Sequence, residues 1–141
     1  MPRYVVDASA AAKWYFTEDH SENAQRLLDD DSIELLAPDF IYIEVAAVAW
    51  KRRCKEEIEE ERAMEIVTEL ADVPFSIDSA TALVPSALRI AMQTRRSLYD
   101  CLYLALAVRS GAALVTGDRK FFDAIKAGPL SAHISWLGDL P

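Results

Sequence analysis

Short β-favouring runs alternate with longer helical stretches along the chain, and this alternation restricts the fold more than any other feature of the sequence. We expect strands at residues 3–6, 33–37, 73–77, 112–116 and 134–137. We expect helices just after Asp7 and over residues 21–28, 39–55, 56–70, 80–95, 97–109 and 119–126. Strands separated by helices usually lie parallel in one sheet. The sequence therefore predicts an α/β fold, a three-layer sandwich with a mainly parallel central sheet flanked by helices.

Prolines and glycines mark the expected boundaries of several helices. Pro38 suits the start of a helix, where a backbone N–H is not needed. Pro85 predicts a break in the helix over residues 80–95, because an interior proline removes a hydrogen bond. Gly111 is expected to stop one helix and Gly128 to cap the last, since glycine readily adopts the left-handed conformation found at helix ends.

The chain length suits a single domain over residues 1–141, which would bury about 68–70% of its unfolded surface. The N-terminus reaches Asp7 without the apolar core of a signal peptide, and no apolar run approaches the ~20 residues that span a bilayer. We therefore expect a soluble, cytoplasmic protein with no membrane segment. Cys54 and Cys101 show no Cys-x-x-Cys spacing, which indicates free structural thiols.

Four acidic residues interrupt apolar stretches, where a carboxylate is seldom buried without a partner. Asp7 follows Tyr-Val-Val, and Asp118 follows Leu-Val-Thr-Gly, so both stand at the carboxyl ends of predicted strands. Glu44 lies within Phe-Ile-Tyr-Ile-Glu-Val-Ala, and Asp100 within Leu-Tyr-Asp-Cys-Leu-Tyr-Leu, both in predicted helices. Open α/β sheets have their active sites at the carboxyl ends of the strands. We expect all four side chains to converge on one pocket there.

Crowded carboxylates require a cation, because two of them 4 Å apart repel by about 4 kcal/mol at an effective dielectric of about 20. Ligands that are all oxygen favour Mg²⁺ or Mn²⁺ over zinc, and both histidines are remote in sequence. Local roles are open for three of the acids: Asp118 as an N-cap, Asp100 in a capping box with Ser97, and Asp7 as a turn residue. Glu44 gains nothing from capping.

The same motifs resemble those of PIN-domain proteins, specifically the short VapC-type toxins of bacteria and archaea. The matching elements are Val-Val-Asp7-Ala-Ser9, Pro38 followed by Glu44 on a helix, Leu-Tyr-Asp100-Cys-Leu-Tyr-Leu-Ala-Leu-Ala, and Leu-Val-Thr116-Gly-Asp118-Arg-Lys-Phe. They follow the family order over nearly the whole chain.

The resemblance implies a PIN-like fold, an endoribonuclease dependent on Mg²⁺ or Mn²⁺, a homodimer and, for a toxin, a small antitoxin partner. It also implies that the hydroxyls of Ser9 and Thr116 help to hold the metal or its waters. Asp123 is a candidate supporting acid, although an exposed helix position explains it as well.

The expected mechanism uses no covalent nucleophile. Asp7, Asp100 and Asp118 hold one or two ions, Glu44 completes the shell directly or through water, and ion-activated water attacks the phosphorus in line. The net charge of -8 has the wrong sign for RNA binding, but basic residues cluster beside the acidic motifs. Contact with the RNA backbone or simple solvation accounts for the four that flank these motifs: Arg95, Arg96, Arg119 and Lys120.

Other classes fit less well. A receiver-like signalling domain also binds Mg²⁺ with aspartates, but it carries adjacent acids after the first strand, whereas Asp7 stands alone. A haloacid-dehalogenase-type phosphatase has Asp-x-Asp-x-Thr there, and Asp7-Ala-Ser9 does not match. Two alternatives keep the fold: a PIN nuclease that is not a toxin, and a catalytically silent module that binds RNA or protein.

Overall fold

The computed structural model describes all residues from Met1 to Pro141 and contains one five-stranded sheet. The strands are β1 (Arg3–Val6), β2 (Glu34–Pro38), β3 (Ser76–Asp78), β4 (Ala113–Thr116) and β5 (Ile134–Trp136). Their order across the sheet is β3-β2-β1-β4-β5, and all four pairings are parallel. The predicted α/β fold with a parallel sheet is confirmed.

Helices connect all of these strands. They are α1 (Ala8–Ala11), α2 (Ser21–Asp29), α3 (Phe40–Cys54), α4 (Glu60–Ala71), α5 (Ala80–Thr94), α6 (Leu98–Ser110) and α7 (Arg119–Lys126). Single turns of 3₁₀ helix follow α1 and flank β5. None of the helices has both the length and the apolar character needed to cross a membrane.

Helix α6 forms the centre of the core. Every residue from Cys101 to Ala107 is buried, and the helix packs across β1, β2 and β4. A helix that is apolar on all sides must be covered on all sides. Its N-terminus is capped by the Ser97 side chain, and Gly111 ends it with a φ of 64°, as the sequence predicted.

The strand order reverses direction between the neighbouring strands β1 and β4. Successive strands run outward from β1 through β2 to β3, and the chain then crosses back to β4 on the other side of β1. Ligands of open α/β sheets bind at such a reversal, outside the carboxyl ends of the strands. Val6 pairs with Val115 at this end, so the turns that follow β1 and β4 lie side by side.

Two expectations about proline are wrong. Helix α5 continues through Pro85 without a break. Pro85 and Thr81 are both exposed, so water can hydrate the Thr81 carbonyl that loses its N–H partner. Pro38 does not start a helix. It is the last residue of β2, in register with Asp78, and α3 begins at Phe40.

Other boundaries also differ from the expected ones. The charged run beginning at Glu56 is not helical until Glu60, because the chain turns at Glu56 with a φ of 59°. Gly128 lacks the left-handed conformation of a cap. Ala127 ends α7 in a right-handed conformation, and the Gly128 N–H donates to the Ile125 carbonyl.

Candidate functional site

A cavity of about 540 Å³ opens at the carboxyl edge of β1 and β4. The structure brings all four acids predicted from sequence to its lining: Asp7, Glu44, Asp100 and Asp118. Two of them follow strands and two come from helices α3 and α6. The charged groups therefore approach one space from three sides of the fold.

Asp7 is the most buried of the four acids, with 6% of its surface exposed. It caps α1, because its Oδ1 accepts from the Ala10 N–H at 3.0 Å and from the Ser9 hydroxyl at 2.6 Å. Burial raises the pKa of Asp7 to about 6, against the lowering effect of these hydrogen bonds, and the nearby charge of Asp100 raises it further. The fold thus holds this carboxylate at an electrostatic cost.

Two hydroxyls tie the turn after β1 to the turn after β4. The Ser9 Oγ accepts from the Gly117 N–H at 2.9 Å and lies 3.3 Å from the Thr116 Oγ1. The Thr116 Oγ1 accepts in turn from the Asp118 N–H at 3.1 Å. Ser9 lines the cavity, whereas Thr116 is fully buried behind it. The hydrogen bonds of these two hydroxyls fix the positions of Asp7 and Asp118. Contact of the hydroxyls with a metal or its waters stays a prediction.

Asp118 combines the capping role with a place in the cavity. Its Oδ1 accepts from the Phe121 N–H at 3.1 Å and so caps α7. The other carboxylate oxygen accepts no hydrogen bond from the protein. One oxygen therefore fixes the side chain, and the second remains available to a ligand.

Helix α3 supplies one wall of the cavity. Its lining residues recur at helical spacing: Phe40, Ile43, Glu44, Ala47, Val48 and Lys51. Glu44 is half-buried, and burial raises its pKa, with an opposing effect from the Tyr103 hydroxyl and a further rise caused by Asp100.

Asp100 couples electrostatically to the other three acids. Burial raises its pKa, the Ser97 hydroxyl lowers it, and the charge of Asp118 raises it again. Asp100 in turn raises the pKa of both Asp7 and Glu44. The Ser97 Oγ accepts from the Asp100 N–H at 3.1 Å, but the return bond of a capping box, from the Ser97 N–H to the Asp100 carboxylate, does not form.

Tyr103 is a polar group of the cavity that the sequence analysis overlooked within an apolar helix. Its hydroxyl is buried beside the Glu44 carboxylate but has no hydrogen-bond partner. Burial and the surrounding carboxylates raise the pKa of Tyr103 well above its usual range, so it remains a neutral donor. Its spacing of three residues from Asp100, on the same helix face, was the available signal.

Two lysines and a glutamate of the lining were also overlooked. Lys13 is 10% exposed, and its Nζ lies 3.3 Å from the Glu18 Oε1. The Lys13 side chain passes so close to Gly117 that a Cβ there would lie 2.8 Å from the Lys13 Cε. Lys51, on α3, is exposed at the rim. Local sequence gave no sign of these positions, because Lys13 and Glu18 lie in a short helical segment and the turn after it.

The basic residues expected to grip RNA do not line the cavity. Arg119 forms an ion pair with Asp123 at 3.2 Å and lies over the Trp136 ring. Arg96 is half-buried over Phe121, while Arg95 and Lys120 are exposed. Asp123, too, is exposed and outside the lining. The RNA-binding role of the four basic residues stays a prediction, and for Asp123 the exposed position favours the alternative, a helix residue with no part in the site.

The lining residues fit a hydrated hard cation better than a directly coordinated one. No three His, Cys, Asp or Glu side chains approach closely enough to hold an ion together, so the carboxylates surround the space without closing on a point. Mg²⁺ suits this arrangement, because it keeps several waters and binds through one or two carboxylates. His20 packs on Trp136 and His133 on the Ala112 carbonyl, both away from the cavity, which disfavours zinc. The unpartnered Tyr103 hydroxyl is placed to donate to an oxygen held there.

Fold and site together define a parallel α/β protein with an acidic cavity at its switch point. The model of the PIN domain matches residues 4–127, and the chain belongs to the PIN-domain family. Ribonuclease VapC3 of Pyrobaculum aerophilum is 32% identical over 127 residues, covering 89% of this chain and 96% of that relative.

Solved structures share the fold. PAE2754 from Pyrobaculum aerophilum superposes with a TM-score of 0.71 at 21% identity, over 97% of this chain and 92% of that one. VapC20 of Mycobacterium tuberculosis, a toxin that cleaves the sarcin-ricin loop, gives 0.66 at 18% identity, over 86% and 94%. VapBC2 from Rickettsia felis, bound to a DNA fragment from their promoter, gives 0.65 at 15% identity, over 95% and 98%. At these identities the likeness shows the fold.

Proposed function

We propose that this protein is an endoribonuclease that hydrolyses phosphodiester bonds of RNA with the help of Mg²⁺ or Mn²⁺, and that it is the toxin of a toxin–antitoxin pair. The observation that carries the proposal is the meeting of Asp7, Glu44, Asp100 and Asp118 at one cavity of a PIN fold. The 32% identity with a ribonuclease over 96% of its length supports the activity.

The four carboxylates would hold the cation, directly or through its waters. When bound, such an ion neutralises phosphate charge and makes water a stronger nucleophile. Capping hydrogen bonds hold the side chains of Asp7 and Asp118 in place before an ion binds. These side chains therefore lose little conformational entropy on binding. Asp100 interacts electrostatically with each of the other three acids, so loss of its charge would affect the ion-binding properties of all of them.

Lys13 and Tyr103 would act on the RNA itself. Lys13 is a nearly buried ammonium at the cavity, oriented by Glu18, whose other oxygen accepts from Arg52 at 2.6 Å. A cation held in a dry site stabilises charge that develops on the phosphate or the leaving oxygen more strongly than one in water. The neutral Tyr103 hydroxyl can donate to a phosphate oxygen.

Cleavage of a mixed RNA pool tests the activity. Mg²⁺ and Mn²⁺ should support cleavage, zinc should support it poorly because the site has no imidazole or thiolate ligand, and EDTA should abolish it. Robust cleavage in EDTA would sink the metal requirement. Absence of cleavage with every ion would favour the alternative of a silent PIN module.

The partner we propose is a small antitoxin that covers the cavity with a segment carrying Arg or Lys. The acidic lining favours a basic side chain, and VapBC2 is among the structures with this fold. Co-purification after expression from the native operon should recover the pair. Recovery of the protein alone and fully active would remove the main support for the toxin assignment.

We also propose a homodimer. Helix α5 presents exposed apolar side chains at i, i+4 and i+8, namely Val84, Leu88 and Met92. Light scattering on the purified chain should give twice its mass of 15.7 kDa, and Leu88→Glu should give the single mass. A monomeric parent would contradict this.

A further inference from the structure

Two aromatic rings form part of the cavity wall. Phe40 and Tyr99 stack with their centroids 5.3 Å apart and their planes at 13°. Phe40 is partly buried and packs against the hydrophobic core, whereas Tyr99 is 57% exposed. Phe40 lies against part of one face of the Tyr99 ring, and more than half of the Tyr99 surface stays exposed. The two rings form an aromatic surface in which Phe40, packed on the core, supports Tyr99.

This surface belongs to the same two helices as two of the acids. Tyr99 immediately precedes Asp100 in the first turn of α6, and Phe40 lies one turn before Glu44 on the same face of α3. Both rings line the cavity together with the four carboxylates. A ligand resting on Tyr99 therefore extends into the acidic space.

The charge of the cavity explains why such a surface is needed. Five carboxylates line it against two lysines, and of the five only Glu18 is paired with an arginine, Arg52. A polyanion gains most of its affinity from cations that contact phosphates. Here that source is limited to two lysines and the ion proposed above, so contacts with the uncharged part of the nucleotide add binding energy that the cations do not supply. Stacking of a base on an aromatic ring is the contact that supplies it.

We propose that Tyr99, backed by Phe40, is a stacking platform for one unpaired base of the RNA, adjacent to the bond that is cut. The inference rests on the proposed function, because it takes RNA as the ligand. A paired base is already stacked within its helix, so the platform selects single-stranded segments and loops over duplex. It discriminates weakly among the four bases, since each has a π-face.

Binding of a short single-stranded oligoribonucleotide with one 2-aminopurine base tests the platform. Binding is measured in Ca²⁺ by fluorescence, with a gel to show that the strand stays intact. Tyr99→Leu keeps apolar volume but loses the ring, and Tyr99→Phe keeps the ring. The leucine variant should raise Kd roughly 5- to 150-fold, the equivalent of about 1–3 kcal/mol for one stacked base, and should lose the fluorescence quenching. The phenylalanine variant should retain both.

Several outcomes would overturn the platform. These are an unchanged Kd for Tyr99→Leu, a parent that binds a duplex of the same sequence as tightly as the single strand, and a parent that does not bind the probe. If Tyr99→Leu instead abolishes co-purification of a partner and leaves RNA binding intact, Tyr99 is a protein contact and the platform is refuted. Phe40→Leu, which removes only the backing ring, should give a smaller loss than Tyr99→Leu.

The platform and the proposed function fail separately. Tyr99-dependent binding by a parent that cleaves nothing in Mn²⁺ refutes the nuclease and leaves the platform standing. Cleavage by Tyr99→Leu with the parent's KM refutes the platform and leaves the nuclease standing.

Discussion

At the scale of single residues, the same carboxylates that cap helices also line the cavity. Asp7 and Asp118 each cap a helix and also line the cavity. The capping and the functional interpretations of the sequence were therefore not exclusive, because a carboxylate has two oxygens. Asp100 differs, since Ser97 supplies the cap and the Asp100 side chain is left for the cavity.

Asp7 predicts a pH dependence of stability. Its pKa is about 6 in the folded chain and near 4 when unfolded, so the folded state binds the extra proton between these values. In EDTA, the free energy of unfolding should fall by roughly 2–3 kcal/mol through this group as pH rises from about 4 to 6. Asp7→Asn lacks this titration, so its free energy of unfolding relative to the parent should rise by the same amount between about pH 4 and about pH 6. Urea unfolding of both proteins at both pH values measures this. An equal difference between the two proteins at both pH values would contradict the raised pKa.

Asp100→Asn separates a cavity role from a capping role. In EDTA the variant should be as stable as the parent or up to roughly 1–3 kcal/mol more stable, because it relieves repulsion among the carboxylates. Mg²⁺ at 100 times its Kd should stabilise the parent by about 2.7 kcal/mol and barely move the variant. Thermal melts with and without Mg²⁺ give both quantities.

Ser97→Ala is the matched control for that experiment. It removes the cap of α6 but no carboxylate, so it should cost about 0.5–2 kcal/mol and keep the full response to Mg²⁺. If Asp100→Asn behaved like Ser97→Ala, Asp100 would be a capping residue and not part of the site.

The four acids were predictable because each is a charge within an apolar run, which is visible in sequence. Lys13, Glu18 and Tyr103 were not. Lys13 lines the cavity next to Gly117, which is 104 residues further along in the turn after β4, so no local sequence pattern joins the two. Tyr103 stands within an apolar helix, and its spacing of three residues from Asp100 was the one sign of a place beside Glu44.

At the scale of secondary structure, tertiary packing overrides the local propensity of the sequence in helix α5. Helix α5 was expected to break at Pro85, yet it continues because Leu83, Ala87 and Ile90 bury one face against the core. The strands and the long α6 were predicted well, since buried strands and an apolar helix leave clear patterns. The start of α4 was not, because the charged residues before Glu60 fit a turn as well as a helix. Strand β3 begins at Ser76 instead of residue 73, because the Phe75 N–H donates to the Val73 carbonyl in a tight turn.

The persistence of α5 through Pro85 predicts a stabilising substitution. Pro85→Ala restores the hydrogen bond to Thr81 and should raise the free energy of unfolding by roughly 1–3 kcal/mol, the proline penalty less its effect on the unfolded chain. The neighbouring exposed Ser86→Ala should change it by less than about 0.5 kcal/mol. Chemical unfolding measures both. A Pro85→Ala variant less stable than the parent would show that the proline fits its helix without cost.

At the scale of the whole molecule, the topology creates the site before any side chain is considered. The order β3-β2-β1-β4-β5 puts the ends of β1 and β4 side by side, and helices α3 and α6 flank them. The sequence predicted a site at the carboxyl edge but not which basic groups would reach it. The residues chosen for RNA binding were sequence neighbours of the acids, but none of them lines the cavity: Arg95 and Arg96 lie between α5 and α6, and Arg119 and Lys120 begin α7.

The most direct test of the account is the initial rate of RNA cleavage in saturating Mn²⁺ for the parent and five single variants. Asp7→Asn, Glu44→Gln, Asp100→Asn and Asp118→Asn should each lose roughly 10²-fold or more, because each removes charge from one shared site. Asp123→Asn, an acid five residues beyond Asp118 but outside the cavity, should retain the parent's rate. Retained cleavage by any of the four, or an equal loss in Asp123→Asn, would contradict a site built from the cavity carboxylates.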